Sequence, residues 1–199
     1  MNQSVIPFTR PLAQISLMIT LALSLLAGCT KYESPEYKVI SKEGRFEIRQ
    51  YPALTLVSTQ MQKRGADGSF MKLLRFIQGR NDQSEKISMT TPVLMSGTTS
   101  GTMSFVLPKS VATAGAPAPS NPDLTLHTVP PTSYAAYIFR VSLDAGVSDA
   151  AAEKLQVWMK SRTIVTAGPP IFAYYNPPWT PGFLRHNEVL IPISVPPEK

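Results

Sequence analysis

The side chains that could do chemistry are few. The 199-residue chain has two histidines and one cysteine. His127 stands between Leu126 and Thr128 in a stretch where Leu124 and Leu126 alternate with polar neighbours, so it is expected to point outward and idle. His186, in Leu-Arg-His-Asn-Glu, opens the last apolar stretch; it reads as a polar strand-entry residue or as a weak candidate for an iron ligand. No histidines or carboxylates have metal-site spacing, and no nucleophile elbow, phosphate-binding glycine loop or dinucleotide fingerprint occurs. A hydrolase with Glu47 or Glu188 as base is the one enzymatic alternative, and the expectation is that the protein is not an enzyme. What the chain offers instead is apolar surface beside cations. Met71 and Arg75, four apart, share a flank of one amphipathic stretch, with Lys72 adjacent. Asn176-Pro-Pro-Trp-Thr-Pro-Gly-Phe183 is a proline-rich loop with two large aromatics, Trp179 and Phe183. Together they would suit a flat apolar ligand carrying carboxylates; alternatively the two aromatics plug one end of the fold.

Elements must position these groups. Residues 45–61 read as two strands about a Tyr51-Pro52-Ala53 turn. Phe70, Leu73, Leu74 and Ile77 fall on one helical face, with Asp67 or Ser69 as cap and Gly79 as stop. Lys86-Ile-Ser-Met-Thr-Thr-Pro-Val93 is expected to be a strand that inserts Ile87 and Met89 into the core and bends at Pro92. Another strand follows over 102–107, then a proline- and alanine-rich loop over 110–122. The pattern then recurs: Pro52 and Pro92 have counterparts 78 residues on, Pro130 and Pro170. A second helix over 149–162 carries Ala151, Leu155, Trp158 and Met159, and the chain ends in a strand over 188–193. Each half is strand, strand, helix, strand, strand, which reads as a duplication. The expected fold is α+β: one antiparallel sheet, curved or closed into a distorted β-barrel, from a duplicated ββαββ unit flanked by two helices.

The N-terminus has a different character. Residues 15–27 (ISLMITLALSLLA) are almost wholly apolar and run into Leu26-Ala27-Gly28-Cys29. That run resembles the lipobox of bacterial lipoproteins, which implies a signal peptide over 1–28, lipidation of Cys29 and a polar tether over 29–36. The domain would then span 37–195, with halves of about 37–109 and 123–195. No other cysteine remains for a disulfide or a thiolate ligand. The net charge is +6, one less without Arg10, and the cations are scattered. This fits an anionic ligand or membrane surface, and no nucleic-acid partner. Thr30 follows Cys29 where an aspartate would retain a lipoprotein in the inner membrane, so a Gram-negative setting implies an outer-membrane anchor facing the periplasm.

Over nearly the whole domain the chain resembles the SOUL haem-binding proteins. The matching residues are Phe46-Glu-Ile-Arg-Gln-Tyr51, Val57-Ser-Thr59, Phe76-Ile-Gln-Gly-Arg-Asn81, Lys86-Ile-Ser-Met-Thr-Thr-Pro-Val93, Phe105-Val-Leu-Pro108, Pro117-Ala-Pro-Ser-Asn-Pro-Asp123, Ala173-Tyr-Tyr-Asn-Pro-Pro178 and Arg185-His-Asn-Glu-Val189. The resemblance implies a barrel with two helices and non-catalytic binding of haem or another tetrapyrrole, not tightly held. Members with a histidine in the first motif use it as the proposed axial ligand; here that position is Gln50. Other members hold the macrocycle in a shallow cleft between the first helix and the loop before the last strand. By that resemblance Phe70, Met71, Leu74 and Arg75 line the cleft from the helix, and Pro178, Trp179, Phe183 and Arg185 from the loop. Arg75 or Lys72 would pair with a propionate, and His186 or Met71 would be the iron ligand if there is one. The competing expectation is an effector-binding-like module for a non-haem lipophilic ligand or an envelope partner protein, because the duplicated fold also resembles the effector-binding domains of gyrase-inhibitor-like proteins.

Overall fold

A computed structural model describes residues 32–62, 67–97, 100–140 and 145–194. The signal segment and Cys29 lie outside the described residues. The strands are β1 (Lys38–Glu43), β2 (Phe46–Tyr51), β3 (Leu54–Met61), β4 (Val93–Ser96), β5 (Gly101–Val106), β6 (Leu124–Val129), β7 (Thr132–Phe139), β8 (Ile171–Tyr174) and β9 (Asn187–Pro192). The helices are α1 (Ser69–Ile77), α2 (Lys109–Ala114) and α3 (Ala145–Ser161). Helix α2 occupies the start of the segment expected to be loop.

All nine strands form one antiparallel sheet, in the order β1-β2-β7-β9-β8-β4-β5-β3-β6. The expected barrel is wrong: β1 and β6 are the two edges, they do not pair, and the sheet stays open. The reason lies in how the repeats meet. Val93 pairs with Tyr174 and Ser96 with Ile171 across the β4–β8 seam, and in each repeat the equivalent residues are 78 apart. The same relation links Leu54↔Val129 to Tyr51↔Thr132. Exchanging the halves therefore maps the eight strands β2–β9 onto themselves in reverse order. A pseudo-twofold at the seam uses up the inner edge of each half and leaves β1 and β6 as unpaired outer edges.

Both larger helices lie on one face. Val57, Phe105, Val93 and Tyr174 are successive register partners, so they point the same way. Helix α1 packs on β3 and β5, burying Leu73, Phe76 and Ile77 against Val57, Met103 and Phe105. Helix α3 packs on β7 and β9, burying Ala151, Leu155 and Met159 against Ala135, Phe172, Val189 and Ile191. The central strands β4 and β8 lie between the two helices. The opposite face carries Ser58, Ser104, Leu94, Ala173 and Glu188 and has no helix from this pair.

Local chemistry sets the ends of α1. The Asp67 carboxylate accepts the Ser69 N–H at 3.1 Å, one of the N-terminal donors without a helical partner. At the other end Gly79 has φ +104, a conformation that suits glycine, and its N–H returns to the Phe76 carbonyl at 3.1 Å. Asn81 closes the following turn. Its amide donates to the carbonyls of Phe76 and Glu85, and its oxygen accepts the N–H groups of Gln83 and Glu85. Residues 86–92 are not the strand expected there. They form an extended connector pinned by the Ile87 N–H to the Ile77 carbonyl at 2.8 Å, with Ile87 buried and Met89 partly buried in the α1 core.

Candidate functional site

Helix α1 divides its side chains sharply. Leu73, Phe76 and Ile77 go into the core, and Leu74 packs against that core while half-exposed. Phe70 and Met71 remain 39% and 46% exposed. The Phe70 ring meets Phe105 edge-on with centroids 5.4 Å apart, so it is held in place while one side stays open. Arg75 is exposed, and Lys72 is paired with Asp123 at 2.9 Å. Arg75 is therefore the freer of the two cations on this flank.

The loop between β8 and β9 is built to expose apolar groups. Trp179, Phe183 and Leu184 are 83%, 74% and 62% exposed. The loop is nonetheless tied down from inside. Arg185 is buried, and its guanidinium donates to the carbonyl of Thr180 at 2.7 Å and to that of Pro178. The Thr180 and Leu184 N–H groups close onto Pro177 and Pro181, and Asn176 accepts the His186 N–H at 2.6 Å. A buried cation thus shapes the loop, its guanidinium engaged by two of the loop's own carbonyls. Pro178 is exposed beside Trp179.

In the sheet order a single strand, β4, separates the loop-bearing β8 from β5, on which α1 rests. Adjacent strands are about 4.8 Å apart, so β5 and β8 run roughly 10 Å apart in the sheet. Between them β4 presents Val93 and Met95, both only partly buried. Among the described residues, the rings of Phe70 and the loop make no direct contact; Phe70 is engaged by Phe105.

His186 belongs to a different cluster, on the helix-free face. Its Nε2 lies 2.7 Å from Glu188, which is buried and also accepts the Tyr175 hydroxyl at 3.1 Å. Arg49, fully buried, donates to both Glu188 oxygens at 2.6 and 3.0 Å and to Glu47 at 2.8 Å. Lys42 reaches Glu47 at 2.7 Å, and the Tyr37 ring covers the Arg49 guanidinium at 4.2 Å. Burial pushes the Glu188 carboxyl up, but the hydrogen bonds from His186 and Arg49, with the Arg49 charge, outweigh it and hold the group at about 2. Burial likewise pushes the Tyr51 and Tyr175 hydroxyls up. A carboxylate held as an anion by a buried guanidinium is a poor general base, so neither Glu188 nor Glu47 has the poise a hydrolase needs. With Nε2 engaged, His186 offers an iron only Nδ1, which the adjoining Cβ crowds. No group of three or more metal-ligating His, Cys, Asp or Glu side chains occurs among the described residues.

This cluster is what the sequence reading missed. Glu47, Arg49 and Tyr51 alternate on β2 and so share a face, which was the available signal. That Glu188 would cross from the other repeat to complete the pair was not visible in spacing. His127 is exposed, as its alternation implied, and lines a groove of about 500 Å³ on the helix-free face with Ser58, Ser104 and Thr125.

A family model described as SOUL heme-binding protein matches residues 32–192. The chain belongs to the SOUL family. Members are non-catalytic haem-binding proteins, in agreement with the expectation that this chain is not an enzyme and takes haem or a related tetrapyrrole. No curated protein matches the chain. Among solved structures, the C-terminal domain of EcmrR is similar with a TM-score of 0.55 and 12% identity, covering 79% of this chain and 98% of that one. Two structures of hydrolases from Listeria innocua are similar with TM-scores of 0.53 and 0.51 at 9% and 7% identity, covering 78% and 87% of this chain and 94% and 98% of theirs. At such identities the likeness is one of fold alone. The SOUL motifs in this chain are largely architectural: Asn81 knots a turn, the Lys86–Val93 stretch is the connector, and the first and last motifs supply the Arg49–Glu188 pair.

Proposed function

We propose that the protein is a membrane-tethered, non-catalytic module that binds haem or another tetrapyrrole reversibly, for haem binding or buffering at the cell envelope. The observation that carries the reading is the pair of exposed apolar groups that flank β4: Phe70 and Met71 on α1, Trp179 and Phe183 on the loop. In a haem-binding family, exposed apolar side chains beside the exposed cation Arg75 suit a flat macrocycle bearing propionates. Phe70, Met71, Leu74, Pro178, Trp179 and Phe183 would contact the ring faces, and Arg75 would pair with a propionate. Arg185 supports the site by holding the loop. The iron, where present, would be ligated weakly or not at all; Met71 is the soft donor on this flank, and His186 is committed to Glu188. The bound group would supply the redox chemistry of its iron, while the chain supplies orientation and partial exclusion of water. Lipidation at Cys29 would anchor the domain, in a Gram-negative cell to the outer membrane on its periplasmic side.

The test is a hemin titration of the 30–199 fragment beside a variant with Phe70→Asp and Met71→Asp. Near-stoichiometric binding that the paired substitutions abolish supports the site. Hemin uptake that never saturates, or that ignores the substitutions, contradicts it, because hemin adheres to apolar surfaces generally.

A further inference from the structure

The loop aromatics are more exposed than a shallow ligand site requires. Trp179, Phe183 and Leu184 present three large apolar side chains to water, in a loop that is not slack. Buried Arg185 gathers two of its carbonyls, and a short helical turn at Gly182–Leu184 presents Phe183 and Leu184. Fixing apolar groups in water gains nothing for folding, so the exposure needs an occupant.

Where the chain enters the domain identifies one. The Glu33 carbonyl accepts the Thr91 N–H at 2.8 Å, Ser34 bonds the Thr91 hydroxyl at 2.9 Å, and the Glu33 carboxylate accepts the Lys109 N–H at 2.9 Å. Thr91 stands two residues before Val93, whose register partner Tyr174 ends β8 where the aromatic loop begins. Entry point and loop are therefore neighbours on adjacent strands. Upstream, residues 30–32 alone separate Glu33 from Cys29, and residues 15–27 are apolar. Four residues reach at most about 14 Å. A lipid on Cys29 would therefore hold a bilayer no farther than that along the chain from Glu33.

We infer that Trp179, Phe183 and Leu184 form a membrane-contacting loop that seats in the interface of a phospholipid bilayer. Tryptophan and phenylalanine are the side chains that favour the headgroup boundary, and a second shallow anchor converts a flexible tether into a fixed orientation. The exposed Lys109, beside the entry point, adds a cation that favours anionic headgroups. The inference rests on the reading of the N-terminal segment as membrane-borne.

The chain has two tryptophans, so Trp158→Phe leaves Trp179 as the sole emitter. The full-length, lipid-anchored variant is reconstituted into phosphatidylcholine–phosphatidylglycerol vesicles that contain lipids brominated near the headgroup. Quenching of Trp179 at least twofold stronger than that of Trp158 in the Trp179→Phe protein is expected. It should fall when Phe183→Ser and Leu184→Ser are added, with circular dichroism unchanged. Trp179 emission that ignores the brominated lipid and stays open to an aqueous quencher overturns the inference, whether the loop is then bare or covered by protein. A parallel hemin titration of the Trp158→Phe protein in detergent separates the two readings: hemin bound without lipid quenching defeats the loop's role alone, and quenching without hemin binding defeats the haem site alone.

Discussion

Glu188 illustrates how little a residue's type says before its partners are known. As a carboxylate at the start of the last strand it was a candidate base; flanked by Arg49, Tyr175 and His186 it is a fixed anion that joins the two repeats. Its pKa is lowered to about 2, against about 4.5 when unfolded. The sign follows: the contribution to stability is fully present above pH 4.5 and is lost as pH falls from 4.5 toward 2. Urea denaturation should therefore show the folded protein weakening steeply across that window. Glu188→Gln should lower stability by about 3 kcal/mol at neutral pH, since it leaves the buried Arg49 guanidinium with Glu47 as its one carboxylate partner, and should flatten the acid limb. An unchanged acid limb in that variant would show that other carboxylates set it. Arg75 belongs at the other end of the range. An exposed ion pair is worth up to about 1 kcal/mol, so Arg75→Ala should weaken hemin binding by about two- to fivefold, read as a shift in the titration midpoint, and leave thermal stability unchanged.

Elements were the most legible level. The 3.6-residue spacing of Phe70, Leu73, Leu74 and Ile77 located α1, and Gly79 its end. Yet that same spacing assigned Phe70 to the core, where it is only partly covered: the helix is short and its first turn overhangs Phe105. The Lys86–Val93 stretch alternates like a strand but runs as a connector, because its backbone groups bond Ile77 and Glu33 instead of a strand ladder. The proline-rich loop was read for its aromatics, and its determinant, Arg185, was taken for a ligand contact. Nothing in a linear sequence tells whether a guanidinium turns to a propionate or to its own carbonyls. Arg185→Ala should accordingly free the loop: limited proteolysis is expected to cut within 177–184 several times faster, with hemin affinity lowered, while the midpoint of global unfolding moves little. Leu73→Ala, in the fully buried stripe of α1, should instead cost about 3 kcal/mol of global stability.

At the scale of the whole molecule, the internal repeat was read from two pairs of prolines 78 residues apart, and the β4–β8 register is symmetric under that offset. Closure into a barrel was the step too far. Alternation in a strand shows that one face is buried, but not whether the sheet closes, and here two helices cover that face while the edge strands β1 and β6 stay unpaired. The anchor belongs to this scale too. Cys29→Ser should abolish the lipidated mature form, and a Cys29→Ser protein still found processed in membranes would contradict lipidation as the tether. The central claim is that the open α1 flank and the loop bind a macrocycle through its faces, with the iron secondary. The most direct measurement is an absorbance titration of the 30–199 fragment with hemin and, separately, with iron-free protoporphyrin. Saturation of both near one equivalent per chain, with affinities within about tenfold, is the expected result. Hemin uptake without saturation, or hemin bound tightly while protoporphyrin is refused, would contradict it.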